Sequence, residues 1–340
     1  MFSKPYFYFL FLFSAVSFAQ IGGKSVYQFL NIVSSPRQAA LGGKIITNYD
    51  SDVNQVLLNP ASVNSEMDKR LAMNYANYLG DVSIGSAAYS STFNQQKQPF
   101  FAGVNYISYG KFDGRDENGN ATSGFTASEV AVSVGTSYVI PNSDFNVGFN
   151  AKFISSAFES YNSLGGAFDL GLIYLNEKNA LNCALVTRNI GTQFTTYAGT
   201  RENLPFEIIF GVSKQLQNVP LRWHFTLENL QKWDVSFSNP VKSTSNFDGT
   251  ETAEEVSFFN NALRHLVIGA ELFPQKKINV RLGYNFRRGQ ELNVQDLTSF
   301  SGLSLGFGLK LKRVKFDYSY SRYTLASNTS LFGLTINFKD

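Results

Sequence analysis

The chain has 340 residues but a single cysteine, Cys183, so neither an intrachain disulfide nor a multi-cysteine metal centre can form. It has only two histidines, His224 and His265, and neither has an acidic residue at the spacing of a metal ligand pair or a general base. Lys and Arg total 29 against 26 Asp and Glu, a formal charge of +3, and the basic residues are scattered. That excludes the clustered cationic surface by which proteins hold nucleic acid. After the N-terminal segment no apolar run is long enough for a membrane-crossing helix, so a membrane form of this chain would have to be a barrel. With 44% hydrophobic and 16% charged residues the chain is too apolar for disorder, and its 27 Gly and 9 Pro follow no collagen period.

What is present begins with an export signal. Met1 to Lys4 form a short basic start, PYFYFLFLFSAVSF (5–18) is apolar, and Ser17 and Ala19 are the small residues a signal peptidase needs. Residues 1–19 therefore read as a signal peptide cleaved after Ala19, with the mature chain beginning at Gln20.

From 71 onward, apolar residues recur at every second position, the period of a strand with two unlike faces. Phe145, Val147, Phe149, Ala151 and Phe153 alternate with Asn146, Gly148, Asn150 and Lys152. Leu221, Trp223, Phe225 and Leu227 alternate with Arg222, His224, Thr226 and Glu228. The same pattern returns at 278–287, 303–311 and 314–320. Weaker candidates lie near 71–78, 82–89, 100–109, 130–138, 167–174, 181–187, 206–212, 266–272 and 332–338. About fourteen strands result, an even number, as single-chain outer-membrane barrels require. Connections also alternate in length: IPNSD, LNEKN, KQLQN and FPQKK are short, whereas 110–124, 190–204, 231–264 and 288–301 are long. Short turns at one end and long loops at the other mark an outer-membrane barrel. The fold class expected is an all-β transmembrane barrel of about 14 antiparallel strands over 71–340, lipid-facing apolar residues outside and polar ones inside.

Residues 20–70 show no strand alternation and are assigned to an N-terminal plug, or hatch, because a lumen of this width exceeds what side chains can fill. The hatch residues singled out are Leu30, Val33, Arg37, Leu57, Leu58, Asn59 and Pro60, with a helix start after Ser34-Ser35-Pro36 and a close wall approach at Gly42-Gly43. Lumen residues are expected at Arg222, His224, Glu228, Glu271 and Arg281. Glu271 and Arg281 are expected to pair in lumen water, a contact worth about 1 kcal/mol or less.

The stretch FLNIVSSPRQAALGGK (29–44) with LLNPAS (57–62) resembles the N-terminal signature of the outer-membrane family that contains PorV and PorQ of the type IX secretion system, relatives of the FadL fatty-acid transporters. RNIGTQFTTYAGTRENLPFE (188–207), LRWHFTLENLQ (221–231), NNALRH (260–265) and RLGYNFRRG (281–289) are similar to PorQ rather than PorV. The resemblance covers essentially the whole mature chain. It implies a FadL-like barrel with a hatch in the Bacteroidetes outer membrane, and a place in an attachment complex with PorU, PorV and PorZ. There the sortase-like PorU attaches cargo to lipopolysaccharide, PorV carries cargo, and the PorQ-type subunit tethers PorZ. The aromatics of the long loop, Trp233, Phe237, Phe247, Phe258 and Phe259, are the expected partner contact. Its acidic residues Asp248, Glu251, Glu254 and Glu255 would form a solvated rim. Outer-membrane lipid is the other expected neighbour, and a FadL-like transporter of lipophilic small molecules is the alternative function.

No enzyme is expected, and no cofactor. Gly302-Leu303-Ser304-Leu305-Gly306 matches G-x-S-x-G, but a nucleophile elbow needs a strand turning into a helix, and Ser304 sits within a strand pattern. FDGRDENGNATSG (112–124) matches a calcium loop only at Asp116, Asn118 and Asn120 and reads as a solvated tip. Cys183, alternating with Leu181 and Leu185, is expected to pack as an apolar residue.

Overall fold

The computed structural model describes residues 25–78, 80–93, 98–235, 244–245, 251–252, 256–291, 301–322 and 328–339. The signal peptide, its cleavage site and the loop residues Phe237, Phe247, Asp248, Glu254 and Glu255 lie outside them.

Fourteen antiparallel strands close into a barrel. They are β1 (Arg70–Asn77), β2 (Ser83–Phe93), β3 (Gln98–Phe112), β4 (Phe125–Val139), β5 (Phe145–Phe158), β6 (Tyr161–Asn176) and β7 (Leu181–Thr195). They continue as β8 (Glu207–Gln215), β9 (Leu221–Leu227), β10 (Leu266–Leu272), β11 (Ile278–Asn285), β12 (Leu303–Lys310), β13 (Val314–Arg322) and β14 (Asn328–Asn337). Each pairs with its sequence neighbours, and β1 pairs with β14 from Arg70↔Asn337 to Asn77↔Ser330, so the sheet has no free edge. Along β5, Asn146, Gly148, Asn150, Lys152, Ile154 and Ser156 are shielded from solvent, whereas Phe145, Val147, Phe149 and Phe153 lie on the outer face. The expected assignment of faces holds: Leu282 stands outward, Glu271 and Arg281 inward.

Several strands run further than their apolar alternation. β6 begins at Tyr161, well before 167, although Asn162, Ser163, Gly165 and Gly166 interrupt its pattern. Its ladder with β5 continues to Phe158↔Tyr161, and this pairing holds residues of low strand propensity in the sheet. Connections of 140–144, 177–180, 216–220, 273–277 and 311–313 lie at one end, which is also where β1 begins and β14 ends. The longest, 228–265 and 286–302, lie at the other. Parity therefore sorts length as expected, although the long-loop end also contains the tight connections 78–82 and 159–160. Helical spacing is sparse in the sequence, yet short helices α2 (Phe258–Arg264) and α3 (Phe286–Glu291) occupy the two longest connections.

Candidate functional site

Residues 25–69 precede β1 and lie against the inward-facing residues of the wall. Pro36 starts the helix α1 (Pro36–Ala40) at its first position, where its missing N–H costs nothing. Asn59 Oδ1 accepts from the Ala61 N–H at 2.9 Å and its amide donates to the Ile46 carbonyl at 2.8 Å, so the Asn-Pro-Ala turn is locked from both sides. Leu30, Leu57 and Leu58 are buried and Val33 is partly buried against the same apolar cluster as Leu30. The wall admits this segment by omitting side chains. A Cβ at Gly148 would lie 2.2 Å from the Pro60 carbonyl carbon, and one at Gly283 would lie 2.0 Å from the carbonyl carbon of Leu41. At Gly42 the φ of +97° and the contact with β11 require glycine on the hatch side as well.

Charge fixes the hatch as well. Glu271 on β10 stands in register with Arg222 on β9 and Arg281 on β11. Its carboxylate accepts from Arg281 Nε at 2.9 Å and from Arg37 of α1 at 3.1 and 2.8 Å. Arg37 also donates to Asp50 at 2.9 and 2.8 Å and to Asp52 at 3.3 Å, and Arg222 reaches Asp50 at 3.3 Å. Arg281 continues to Asp317 at 2.7 Å, which Lys315 meets at 3.0 Å. Four cations thus meet four carboxylates in one chain of contacts from wall to hatch. Burial alone would raise the Asp50 carboxyl, but the charge and hydrogen bonds of Arg37, aided by Arg222, outweigh it and hold the group well below the usual carboxylate range.

A second link joins Lys44 to Glu207 at 2.6 Å and Glu207 to Arg188 at 3.2 Å, while Arg188 donates to the Leu30 carbonyl at 2.9 Å. Glu228, just past the end of β9, accepts from the Lys44 backbone N–H at 3.0 Å. His224 is fully buried and its Nδ1 lies 3.3 Å from the Thr47 hydroxyl of the hatch. The expected solvated pair is corrected here. Glu271 and Arg281 are both essentially unexposed and belong to a larger network, so the surface-pair figure does not apply to them.

The sequence reading missed Lys44, Asp50, Asp52, Lys152, Asp169, Arg188, Glu207 and Asp317. Lys152 and Asp169 pair at 2.7 Å inside the β5–β6 wall. A signal was available for the wall residues, because a charge at the polar phase of an apolar alternation must point inward. None marked the hatch acids, whose partners are distant in the chain.

At the long-loop end, Trp233 stacks on Phe258 with centroids 4.6 Å apart and on His265 at 5.7 Å. His265 lies with Nδ1 2.7 Å from the Glu228 carbonyl and Nε2 2.9 Å from the Trp233 carbonyl. Trp233 is therefore pinned within the loop, whereas Phe258 and Phe259 are 75% and 71% exposed. Between the hatch and these loops lies a vestibule of about 850 Å³ lined by polar residues such as Gln28, Asn31, Asn189 and Asn229 and by apolar ones such as Ile190 and Phe206. It adjoins a crevice of about 330 Å³ between hatch and wall.

The enzyme-like motifs are accounted for by packing. Ser304 lies within β12, and its hydroxyl accepts from Arg288 at 2.6 Å and from Ser321 at 3.0 Å, the partners it has among the described residues. Asp116 folds its own loop, accepting from the Asn118 and Asn120 N–H groups at 2.9 and 2.8 Å. Cys183 is a free thiol, partly buried on β7.

No protein-family profile and no curated protein matches the chain. Among solved structures it is similar to a mutant of the TodX monoaromatic hydrocarbon channel, at 11% identity over 89% of this chain and 98% of that one, with a TM-score of 0.52. It is also similar to a Pseudomonas aeruginosa FadL homologue at 12% identity over 91% and 99%, with a TM-score of 0.48. At this identity the likeness is one of fold. The protein is a closed fourteen-stranded antiparallel β-barrel that shares its fold with the TodX channel.

Proposed function

We propose that the protein is a hatch-closed outer-membrane channel for lipophilic small molecules. One observation carries this reading: the 330 Å³ crevice between hatch and wall is lined by Ile32, Val33, Ala76, Tyr78, Ile84 and Leu331 as well as by charged residues such as Lys44, Glu228 and Arg288, and shares Gln28, Asn31, Asn229 and Arg287 with the outer vestibule. A solute entering from outside passes from the vestibule into this mixed slot beside the hatch, where the apolar side chains give an apolar solute a resting place in a wet pore. The fold it shares with TodX is compatible with such a role. The test is uptake of a monoaromatic hydrocarbon and of a long-chain fatty acid into cells carrying the parent or Ala76→Phe, which fills the slot. Uptake is expected to fall several-fold in the variant while the barrel stays heat-modifiable. Equal uptake by parent, variant and cells lacking the protein would reject the reading.

Phe258 and Phe259, adjacent and exposed on the outer helix α2, favour a second reading as the PorZ tether of a type IX attachment complex with PorU and PorV. Both readings are non-enzymatic. Replacing 231–264 by a Gly/Ser linker should then release PorZ into the medium. Retention of PorZ at the surface after deletion of the whole protein would discard the tether.

A further inference from the structure

The short-turn mouth of the lumen contains a cavity of about 470 Å³ between the hatch and the β10–β14 wall. Nine Lys and Arg line it against four Asp and Glu. Four of those cations, Arg37, Arg222, Arg281 and Lys315, are balanced within the network by Asp50, Asp52, Glu271 and Asp317. Beyond it, Arg70, Lys276, Lys310 and Lys312 face the lining with Glu66 as its one further carboxylate. The short turns 140–144 and 177–180 opposite carry Asp144, Glu177 and a single lysine, Lys178.

The network itself leaves donors over. Arg281 is 1% exposed, its Nε and Nη1 are bound by Glu271 and Asp317, and its Nη2 has no partner. Arg70 Nε is also buried without one. A buried guanidinium N–H with no acceptor is costly, and an anion that draws these side chains toward the cavity would remove that cost. Asn279 Oδ1, an acceptor on the same lining, stands unpartnered too and suits a hydroxyl beside the anion.

We propose that this mouth is a binding site for a phosphate ester bearing a hydroxyl group, held by Arg281, Arg70 and Lys312. The chemistry is that of glycerol phosphate, and two sources carry it: a soluble phosphate ester and the headgroup of phosphatidylglycerol in the facing leaflet. In outer-membrane barrels the short turns face the periplasm, so either source reaches this end. The site does not depend on what crosses the barrel.

The full-length protein in non-ionic detergent is titrated with glycerol 1-phosphate against sodium chloride of equal ionic strength, using calorimetry. In parallel, native mass spectrometry compares retention of phosphatidylglycerol with that of phosphatidylcholine. Saturable binding in the first arm assigns a soluble ester, and enrichment of phosphatidylglycerol alone assigns the lipid headgroup. Both Arg70→Gln and the exposed Lys312→Ser should weaken binding roughly tenfold, the scale of one charge-assisted hydrogen bond. Lys312→Ser alters only a surface turn, and its heat-modifiable mobility verifies the fold. No saturable binding in either arm, or undiminished binding by a folded Lys312→Ser, overturns the proposal.

Discussion

The hatch is held by different physics on its two sides. Toward β9–β13 a charge network is added to the close packing at Gly283, with Arg37 inserted between the wall carboxylate Glu271 and its own Asp50 and Asp52. Toward β5–β8 shape dominates beside the single Lys44–Glu207 link: Asn59 and Ala61 fill the hollows left by Gly148 and Gly171, and Ile46 and Leu58 pack on Ile173 and Ile209. The charged side fails when a partner is removed, because the charges left behind are buried. The shape side fails when an atom is added, because no space remains.

The largest effect should come from Glu271→Ala. It leaves Arg37, Arg222 and Arg281 converging on a vacated position, with Asp50 still bridging the first two and Asp317 still beside the third. Removing one member of a buried pair typically costs about 3–5 kcal/mol. Denaturant titration of the barrel in micelles should show a loss on that scale, and planar-bilayer recordings should show conductance where the parent has little. Arg281→Ala belongs to the same class, since it removes the cation that stands between the buried carboxylates Glu271 and Asp317. A Glu271→Ala barrel as stable and as tight as the parent would mean that charge does not hold this side of the hatch.

Leu282 shares β11 with Arg281 but is 46% exposed on the outer face. Leu282→Arg, which places a cation in lipid, should cost about 2–4 kcal/mol near the midplane. The expected readout is a lower urea midpoint for folding into vesicles, without the conductance that Glu271→Ala gives. Conductance in Leu282→Arg would show that the outer face and the hatch are coupled.

Gly148→Val tests the shape side. Its Cβ would collide with the backbone of Pro60 and Ala61, which cannot swing away as a side-chain tip can. Overpacking of this kind costs about 1–3 kcal/mol. Gly85 on β2 is the control, since its Cβ would find only the Asn74 carbonyl at 3.9 Å, and Gly85→Ala should be silent. Proteolysis of the hatch in detergent compares the two, and equal protection in both variants would disprove the tight fit at Gly148.

Most of the wall was legible in the sequence because a barrel strand states its two faces at every second residue. Phe149 against Asn150, or Leu282 against Arg281, needs no knowledge of the partner strand. The outer half of β6 was illegible because Gly165 and Gly166 are held there by pairing, which is not written locally. The hatch could be read as a plug from its lack of alternation and its apolar residues. Its docking could not, because the contact of Arg37 with Glu271 joins residues 234 positions apart. Glycines at the polar phase of strands, such as Gly148 and Gly283, were the overlooked sign of where a backbone presses on the wall.

Asp116 should give the smallest effect, and it sharpens the comparison because its carboxylate accepts three hydrogen bonds, all from its own loop, while lying fully in solvent. Hydrogen bonds from the Asn120 side chain and backbone, with those of Asn118 and Gly119, lower its carboxyl from the ordinary value. A lowered value in the folded loop means that the turn is fully held above about pH 4, the ordinary Asp range, and loosens as the pH falls through the lowered value. No strand depends on it, since the loop joins β3 to β4 beyond the ends of their ladder. Asp116→Ala should therefore leave the unfolding midpoint unchanged while speeding amide exchange at Asn118 and Asn120, and the parent should show the same local speeding in acid. Asp50 carries its hydrogen bonds to the buried Arg37, so acid that protonates it should free the hatch and raise conductance. If acid loosens the Asp116 turn and the hatch together at one pH, burial is not what separates the two carboxylates.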